Sequence, residues 1–217
     1  MYMKAAIVDI DGTLLDSMSL WMNLGQRFLE SVGKTPEEDL GTALFSMTIP
    51  EGIHYMKVQY DLEETESEIR EGINGIIDHF YREEVPLKSG VVPFLEEMKK
   101  QGIPMALATT GDRELATAAL SRHGILPYFG KMYVCEEYHT TKREPYIYLM
   151  AARDLGVEPR EMVVFEDILR AVKTAKAAGF QVAAMEDSVS LGDADELKAT
   201  ADWYFHNFDE AREHFFG

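Results

Sequence analysis

The feature that most constrains the fold is a regular alternation of helical and strand patterns over residues 87–217. In it, stretches with apolar residues at helical spacing lead into short apolar runs that read IPMALATT, KMYVCE, EMVVFED and FQVAAME. A further apolar run, WYFHNF, lies near the C-terminus. Such alternation is typical of a parallel sheet covered by helices on both faces. We therefore predict a doubly wound, Rossmann-like α/β core.

The N-terminal segment supplies one more strand of this core, over roughly residues 4–10. Residues 17–86 differ in character, because their apolar residues recur at helical spacing between Gly and Pro and no strong strand pattern is present. The sequence therefore predicts two domains. Residues 1–15 and 88–217 form the α/β core, and residues 16–87 form an inserted α-helical cap domain.

Charge limits what such a protein binds. The 217-residue chain has 38 acidic and 21 basic residues, a formal net charge of −17 that argues against nucleic acid or an anionic membrane as a partner. The single cysteine, Cys135, has apolar neighbours that favour a core position and cannot form an internal disulfide. No apolar stretch reaches the ~20 residues that a membrane span needs. We expect a cytoplasmic monomer, with a dimer left open.

Polar side chains stand at the ends of three predicted strands, with one lysine before a helix. They are Asp9 and Asp11, Thr109 and Thr110, Glu166 and Asp167, and Lys142. Alternation along the first strand would put Asp9 and Asp11 on one face, where their charges repel. Ligands of open parallel sheets bind beyond the carboxyl ends of the strands, and Mg²⁺ takes carboxylate and phosphate oxygens as ligands. The pattern therefore predicts a site for Mg²⁺ and a phosphate group.

Each of these groups also has an ordinary structural interpretation. Acids at strand ends commonly cap helices, and Asp16 and Ser17 are expected to be caps that begin the first helix of the insert. Glu166 with Asp167 would by themselves be acids favoured at a helix start, and Lys142 alone would be a solvated surface lysine. Their joint occurrence at successive strand ends favours a catalytic site.

Four segments of the chain together resemble the haloacid dehalogenase-like hydrolase superfamily: DIDGTLLDS, ALATT, KREPYIYLMAARDLGV and VVFEDILRAVKTAKAAG. The resemblance is closest to the branch with a helical cap inserted after the first segment. That branch includes phosphoglycolate-phosphatase-like and β-phosphoglucomutase-like enzymes. The resemblance covers nearly the whole chain.

The resemblance implies a role for each candidate residue. Asp9 is expected to be the nucleophile that forms an aspartyl-phosphate, and Asp11 the general acid and base. Thr109 is expected to hydrogen-bond the transferred phosphoryl group, and Lys142 to neutralise charge on the nucleophile and the phosphate. Two further residues are expected to bind substrate, Gly12 and Thr110.

The resemblance also implies Mg²⁺ as the cofactor. Asp167 is expected to bind the ion together with the Asp9 carboxylate and the backbone carbonyl of Asp11. Glu166 is expected to be a further ligand or to lie just outside the ligand set. The substrate implied is a small phosphorylated metabolite.

Two motifs depart from the family's pattern. The lysine motif has Arg143 where a proline is usual and Tyr146 where an aspartate is usual. After the acidic pair, Ile168 replaces a serine and Ala171 a glycine. Because the proposed catalytic side chains are all present, we expect the chemistry to be kept, while rate and loop geometry stay open.

Hydrolysis of a phosphomonoester is the favoured function. Asp11 argues against a dehalogenase, which needs no proton for its leaving group and lacks an aspartate there. The alternative is a β-phosphoglucomutase-like mutase, but such enzymes carry a histidine early in the cap, where this chain has Trp21. The insert also lacks an obvious arginine for a second phosphate, because Arg27, Arg70 and Arg82 stand in contexts typical of surface ion pairs.

Two alternatives from another class stay open. A phosphorylatable receiver-type domain also groups acids, a threonine and a lysine at the ends of a parallel sheet, but it has no insert of this size after its first strand. An inactive regulatory protein is the other, and the altered lysine motif gives it some weight.

Overall fold

The structure, a computed structural model, describes residues 3–45 and 47–217. The chain divides into two compact units. One contains the N-terminal segment up to Asp16 together with Val85–Gly217, and the other is Ser17–Glu84. We call them the α/β unit and the helical unit. That the helical unit acts as a cap stays a prediction.

The α/β unit contains a six-stranded parallel sheet in the described part of the chain, and the predicted doubly wound fold is confirmed. Its strands are β1 Ala5–Val8, β2 Met105–Thr109, β3 Met132–Val134, β4 Met162–Glu166, β5 Gln181–Met185 and β6 Trp203–Phe205. Their order is β3-β2-β1-β4-β5-β6. Ile7 of β1 lies beside Ala106 of β2 and Val164 of β4. The chain order reverses between β1 and β4, the switch point at which open α/β sheets bind ligands.

The helices, in chain order, are α1 Met18–Ser31, α2 Leu40–Phe45, α3 Ile49–Gln59, α4 Glu66–His79, α5 Val91–Lys100, α6 Arg113–Arg122, α7 Tyr146–Leu155, α8 Leu169–Ala177, α9 Ala194–Thr200 and α10 Phe208–Phe216. A π-helical turn, Phe80–Glu84, follows α4. No helix among the described residues combines the length and the apolar character needed to cross a membrane.

Both faces of the sheet are covered, which explains why its strands are continuously apolar. Val164 points into a core that includes Ile147 of α7 and Val172 of α8. The next residue, Phe165, points to the opposite face, as alternation along a strand requires. There its ring lies 5.2 Å from that of Phe94 on α5, which in turn lies 5.1 Å from Phe208 on α10.

The helical unit has its own small core. Ile69, Ile73 and Ile77 recur every fourth residue of α4 and are all buried. Thr65 caps this helix, because its hydroxyl accepts a hydrogen bond from the Glu68 backbone N–H at 3.3 Å while the Glu68 carboxylate accepts one from the Thr65 N–H at 2.8 Å. Local capping and a four-residue apolar spacing therefore account for this helix.

The surface ion pairs expected for two arginines of the helical unit are confirmed. Arg27 donates to Glu84 at 2.8 Å, and Arg82 donates to Asp78 at 2.8 Å. These two arginines are therefore engaged with acidic side chains. Trp21, which stands where the mutases carry a histidine, lies on α1 and is 39% exposed.

Two local expectations are wrong. β1 ends at Val8, so Asp9 and Asp11 lie in the loop after the strand rather than along one of its faces. The chain turns there, because Gly12 has a φ of 82° and the N–H groups of Leu14 and Leu15 both donate to the Ile10 carbonyl at 2.9 Å.

The second wrong expectation concerns the start of α1. Ser17 stands at the N-cap position, but among the described residues its side chain makes no capping hydrogen bond. Its φ of −93° and ψ of −16° are helical, whereas a capping side chain reaches the first turn from extended backbone.

Candidate active site

The strand order brings the predicted site residues to one edge of the sheet. β1, β2 and β4 are neighbours, so the chain following each strand reaches the same crevice. Asp9, Thr109, Glu166 and Asp167 are all there and all buried, with Asp167 wholly inaccessible. Buried charged side chains are rare in proteins unless they are paired or bind a cation.

Lys142 joins two of these carboxylates. It lies in the connection between β3 and α7, and its ammonium donates to Asp9 Oδ1 and to Glu166 Oε1. Its side chain is only 11% exposed, so this is not a solvated surface lysine. The structure therefore brings together the strand-end acids and the lysine that the sequence placed before a helix.

Three carboxylates converge on one point. Asp9, Glu166 and Asp167 each offer an oxygen atom, and these oxygens lie within 4.8 Å of one another. Glu166 Oε2 and Asp167 Oδ2 are buried and have no hydrogen-bond partner among the described residues. A bound cation would satisfy buried carboxylate oxygens that lack donors, and an all-oxygen site suits a hard divalent ion such as Mg²⁺. The residues therefore fit the ion that the resemblance implies.

Burial sets the electrostatics of the cluster. Burial is the largest cause that raises the pKa of Asp9, to about 7, with Lys142 opposing it and Glu166 and Asp11 adding to it. Burial, followed by the charges of Asp9 and Glu166, raises the pKa of Asp167 well above its usual range. A cation among these carboxylates would lower both pKa values and keep both groups ionised at neutral pH.

The ammonium of Lys142 responds in the opposite way. Burial by itself lowers its pKa, but the carboxylates of Asp9 and Glu166 together raise it by more, so the pKa of Lys142 lies above its usual value. Lys142 therefore stays positively charged at neutral pH.

Asp11 approaches the loop that follows β2. A Cβ atom on Gly111 would lie 2.8 Å from Asp11 Oδ2 and 3.2 Å from Thr109 Oγ1, so only glycine permits this approach. The Gly111 N–H also donates to Thr109 Oγ1 at 2.8 Å. Thr110, in contrast, is exposed. Sequence reasoning missed Gly111, although a glycine directly after a strand-end threonine pair is a usable signal.

Two more hydroxyl groups that sequence reasoning missed support the cluster. Thr13 donates to Asp167 Oδ1 at 3.3 Å, and Tyr148 of α7 donates to Glu166 Oε1 at 2.8 Å. Burial raises the pKa of Tyr148 well above its usual value. The sequence does offer a signal for Thr13, since this threonine directly follows the Asp-X-Asp-Gly segment that holds Asp9 and Asp11. Tyr148 had none, because it stands at a core-facing position of α7.

The departures from the family's pattern lie outside the hydrogen-bonded cluster. Arg143 is exposed, and Tyr146 is 49% exposed at the start of α7. Ile168 stands at the N-cap position of α8 and is 41% exposed, where a serine would offer a capping hydroxyl. Ala171 is buried on α8. None of these four residues takes part in the hydrogen bonds that join Lys142 to Asp9 and Glu166.

Comparisons with known proteins agree over most of the chain. The sequence model of a family described as haloacid dehalogenase-like hydrolase matches residues 6–185. A phosphorylated carbohydrates phosphatase of Thermotoga maritima is 30% identical over 179 residues, which cover 82% of this chain and 83% of that protein. Hexitol phosphatase A of Escherichia coli is 32% identical over 210 residues, which cover 88% of each.

A solved structure extends the similarity to three dimensions. The crystal structure of a candidate β-phosphoglucomutase from Thermotoga maritima superposes with a TM-score of 0.86 at 28% identity. The match covers 97% of this chain and 99% of that one. The names of these two Thermotoga maritima matches indicate different activities, one a phosphatase and the other a mutase.

Proposed function

The chain belongs to the haloacid dehalogenase-like hydrolase family and is a phosphoric monoester hydrolase, and on that premise we propose its substrate and mechanism. The substrate is a small phosphorylated carbohydrate. Hydrolysis is Mg²⁺-dependent and passes through an aspartyl-phosphate on Asp9. The inference from the sequence that the chain resembles this family is thereby confirmed.

One observation carries the proposal. The buried Lys142 ammonium bridges Asp9 and Glu166, while two buried carboxylate oxygens beside them, on Glu166 and Asp167, have no donor in the described structure. A cluster built only for stability would pair every buried charge. This cluster instead contains a fixed cation, Lys142, a buried carboxylate, Asp9, and unpartnered oxygens that can bind a second cation. Phosphoryl transfer requires a nucleophile and cations that balance the charge on the phosphoryl group.

In the first step, an Asp9 carboxylate oxygen attacks phosphorus and forms a P–O bond, while the bond from phosphorus to the substrate's alcohol oxygen breaks. Lys142 holds Asp9 Oδ1 and balances negative charge during the transfer. Thr109, whose Oγ1 is fixed by the Gly111 N–H, would orient the phosphoryl group. Asp11 gives a proton to the leaving oxygen, which departs as a neutral alcohol.

In the second step, Asp11 takes a proton from water as the water oxygen attacks phosphorus. The bond between phosphorus and Asp9 breaks, inorganic phosphate leaves and the Asp9 carboxylate is restored. The proton that Asp11 lost in the first step is thereby replaced. Asp11 serves both steps from one place, against Gly111 at the end of β2.

Asp9 and Asp167, with the backbone carbonyl of Asp11, would hold Mg²⁺, and Glu166, whose Oε2 has no hydrogen-bond partner among the described residues, would add a further carboxylate. When bound, Mg²⁺ neutralises the carboxylates and stabilises the negative charge of the phosphoryl group. The role of this chain's own residues is to bring the three carboxylates together before any ion binds.

The substrate class rests on the relatives. The two curated relatives described above are named for phosphorylated carbohydrates and for hexitol. We therefore expect sugar phosphates or sugar-alcohol phosphates to be hydrolysed fastest. The helical unit is the part in which we expect substrate choice to be made.

The mutase is the second candidate, favoured by the name of the similar Thermotoga maritima structure. Trp21 argues against it, because mutases of this branch carry a histidine there. Incubation with β-glucose 1-phosphate and a trace of the bisphosphate distinguishes the two. Release of inorganic phosphate supports the phosphatase, and glucose 6-phosphate as the dominant product would replace it with the mutase.

A panel of sugar and sugar-alcohol phosphates, assayed for inorganic phosphate, tests the proposed function. We expect turnover with Mg²⁺, none in excess chelator, and full recovery when Mg²⁺ is restored. Turnover that persists in chelator would contradict the metal site. A panel on which carbohydrate phosphates are no better than other monoesters would contradict the substrate class.

A further inference from the structure

A buried tyrosine holds one of the cluster's carboxylates. Tyr148 is 1% exposed, and its ring packs edge-on against Phe180, with the ring centroids 6.2 Å apart. Its hydroxyl donates to Glu166 Oε1 at 2.8 Å. The aromatic ring alone would serve the packing, since phenylalanine has the same shape. The hydroxyl therefore serves Glu166.

The two acids that follow each other at the end of β4 share one arrangement. Asp167 has Oδ1 tied to the Thr13 hydroxyl and Oδ2 without a partner. Glu166 has Oε1 tied to the Tyr148 hydroxyl and Oε2 without a partner. A carboxylate is planar, so holding one oxygen restricts where the other points. In each acid a hydroxyl group thus sets the direction of the unpartnered oxygen.

Glu166 differs from Asp167 in that an ammonium group also binds it. Its Oε1 accepts hydrogen bonds from both Lys142 and Tyr148, while its Oε2 accepts from no described residue. An ammonium without a competing donor nearby is best satisfied between both oxygens of a carboxylate. A Glu166 side chain free to rotate would turn Oε2 toward the Lys142 ammonium, and that oxygen would no longer be without a donor.

We propose that Tyr148 is a positioning residue for the metal site: its hydroxyl holds Glu166 Oε1 so that Oε2 stays without a donor and is available to the ion. This inference rests on the proposed function, because it concerns the same Mg²⁺ site. It assigns a task to a residue of α7 that does not itself reach the ion. It also explains why Lys142 shares Oε1 with a second donor.

The test is Mg²⁺ binding by titration calorimetry without substrate. Tyr148→Phe keeps the ring and removes the hydroxyl, and we expect Mg²⁺ affinity to fall about tenfold, as is typical when the support of a metal ligand is lost. The control is Tyr133→Phe. Tyr133 is also buried, and its hydroxyl donates at 2.8 Å to Asp154, a carboxylate outside the cluster. Its loss should leave Mg²⁺ affinity unchanged.

A double-mutant cycle shows whether Tyr148 acts through Glu166. In a Glu166→Gln background, Tyr148→Phe should cause no further loss of affinity. Additive losses would contradict the proposal, because the hydroxyl would then act by another route. Should Tyr148→Phe fail to fold by circular dichroism, 4-fluorophenylalanine at position 148 fills the space without a donor, and 4-aminophenylalanine there restores a donor. Affinity should fall with the first and recover with the second.

The outcomes separate the two proposals. If the parent protein binds no Mg²⁺, both the metal site and the task of Tyr148 are wrong. If the parent binds Mg²⁺ and folded Tyr148→Phe binds it equally well, the site stands and the task of Tyr148 is wrong. If Tyr133→Phe weakens binding as much as Tyr148→Phe does, the effect is one of general stability and the proposal is also wrong.

Discussion

In the described part of the α/β unit, two carboxylates each accept hydrogen bonds from a lysine and a tyrosine. In the first cluster, Asp154 accepts hydrogen bonds from Lys131 and Tyr133, each at 2.8 Å, and from Arg153 at 2.9 Å. The side chain of Asp154 is 30% exposed. Hydrogen bonds from Lys131, Arg153 and Tyr133 hold the pKa of Asp154 well below its usual range.

The second cluster uses the same residue types with the opposite result. Lys142 and Tyr148 donate to Glu166, but Asp9 and Asp167 crowd the same buried space, and the pKa of Asp9 rises to about 7, chiefly through burial. The hydrogen bonds from Lys131, Tyr133 and Arg153 satisfy the single carboxylate of the first cluster, whereas the donors of the second cluster are too few for its three carboxylates. The comparison teaches that burial and the ratio of donors to acceptors, rather than residue type, decide whether the pKa of such a carboxylate falls or rises.

Removing the central acid of each cluster should give the largest difference in catalytic activity between the two clusters. Asp9→Asn eliminates the attacking carboxylate, so we expect no turnover with any substrate and no phosphoenzyme. Asp154→Asn should change kcat by less than about twofold, in line with the small contribution of exposed ion pairs. Phosphate release and trapping of the phosphoenzyme by rapid acid quench measure both. Phosphoenzyme formation by Asp9→Asn would show that Asp9 is not the nucleophile.

Asp11→Asn should divide the reaction into its two steps. With p-nitrophenyl phosphate, whose leaving group is stable as an anion, we expect a burst of about one equivalent per site and then a stall, because no base activates water. An alkyl phosphate should give no burst. Stopped-flow absorbance records the burst, and phosphate release records the stall. Steady turnover near the parent rate would mean that another group handles the protons.

Gly111→Ala should have an intermediate effect. The added methyl group would lie 2.8 Å from Asp11 Oδ2, so Asp11 or the loop after β2 must shift. We expect kcat to fall about 100-fold, because small displacements of catalytic groups have effects of this size. Gly130→Ala is the matched control, since its Cβ atom would meet the Met105 carbonyl oxygen at an ordinary 3.8 Å. Equal activity of the two variants would show that Asp11 needs no such close approach.

The smallest expected effect is on thermal stability as a function of pH. The raised pKa of Asp9 means that the metal-free folded chain binds a proton more tightly than the unfolded chain does. The corresponding stability is present at low pH and is lost as pH rises from about 4 to about 7, the unfolded and folded pKa values. Asp154, with its lowered pKa, loses stability only as pH falls through the acid range.

Mg²⁺ should therefore raise the unfolding temperature more at pH 8 than at pH 5.5, because at pH 8 the ion does not compete with a proton on Asp9. Differential scanning fluorimetry with and without Mg²⁺ measures this difference. Asp9→Asn should reduce it, and Asp154→Asn should leave it unchanged. An Mg²⁺ effect of equal size at both pH values would show that Asp9 does not take part in binding.

Much of the architecture could be predicted from local pattern. The apolar run EMVVFED and the helical spacing in PYIYLMAARDLG depend on which side chains face the core, and that periodicity is written in consecutive residues. The strand-end positions of Asp9, Thr109 and Glu166 follow from it, because each stands where an apolar run ends. Local pattern did not show that β1 ends at Val8, since the turn at Gly12 depends on hydrogen bonds to the Ile10 carbonyl.

The sequence by itself therefore determined the fold class, the family and the candidate residues, whereas the tertiary structure decided which of them meet. Lys142 and Asp9 are 133 residues apart in the chain, and Thr13 and Asp167 are 154 apart. They meet because β1 pairs with β2 and β4, and β2 in turn pairs with β3, and no local pattern encodes this strand order. Tyr148 shows the same limit, because its position on α7 predicts burial, and only the packed structure shows its hydroxyl on Glu166.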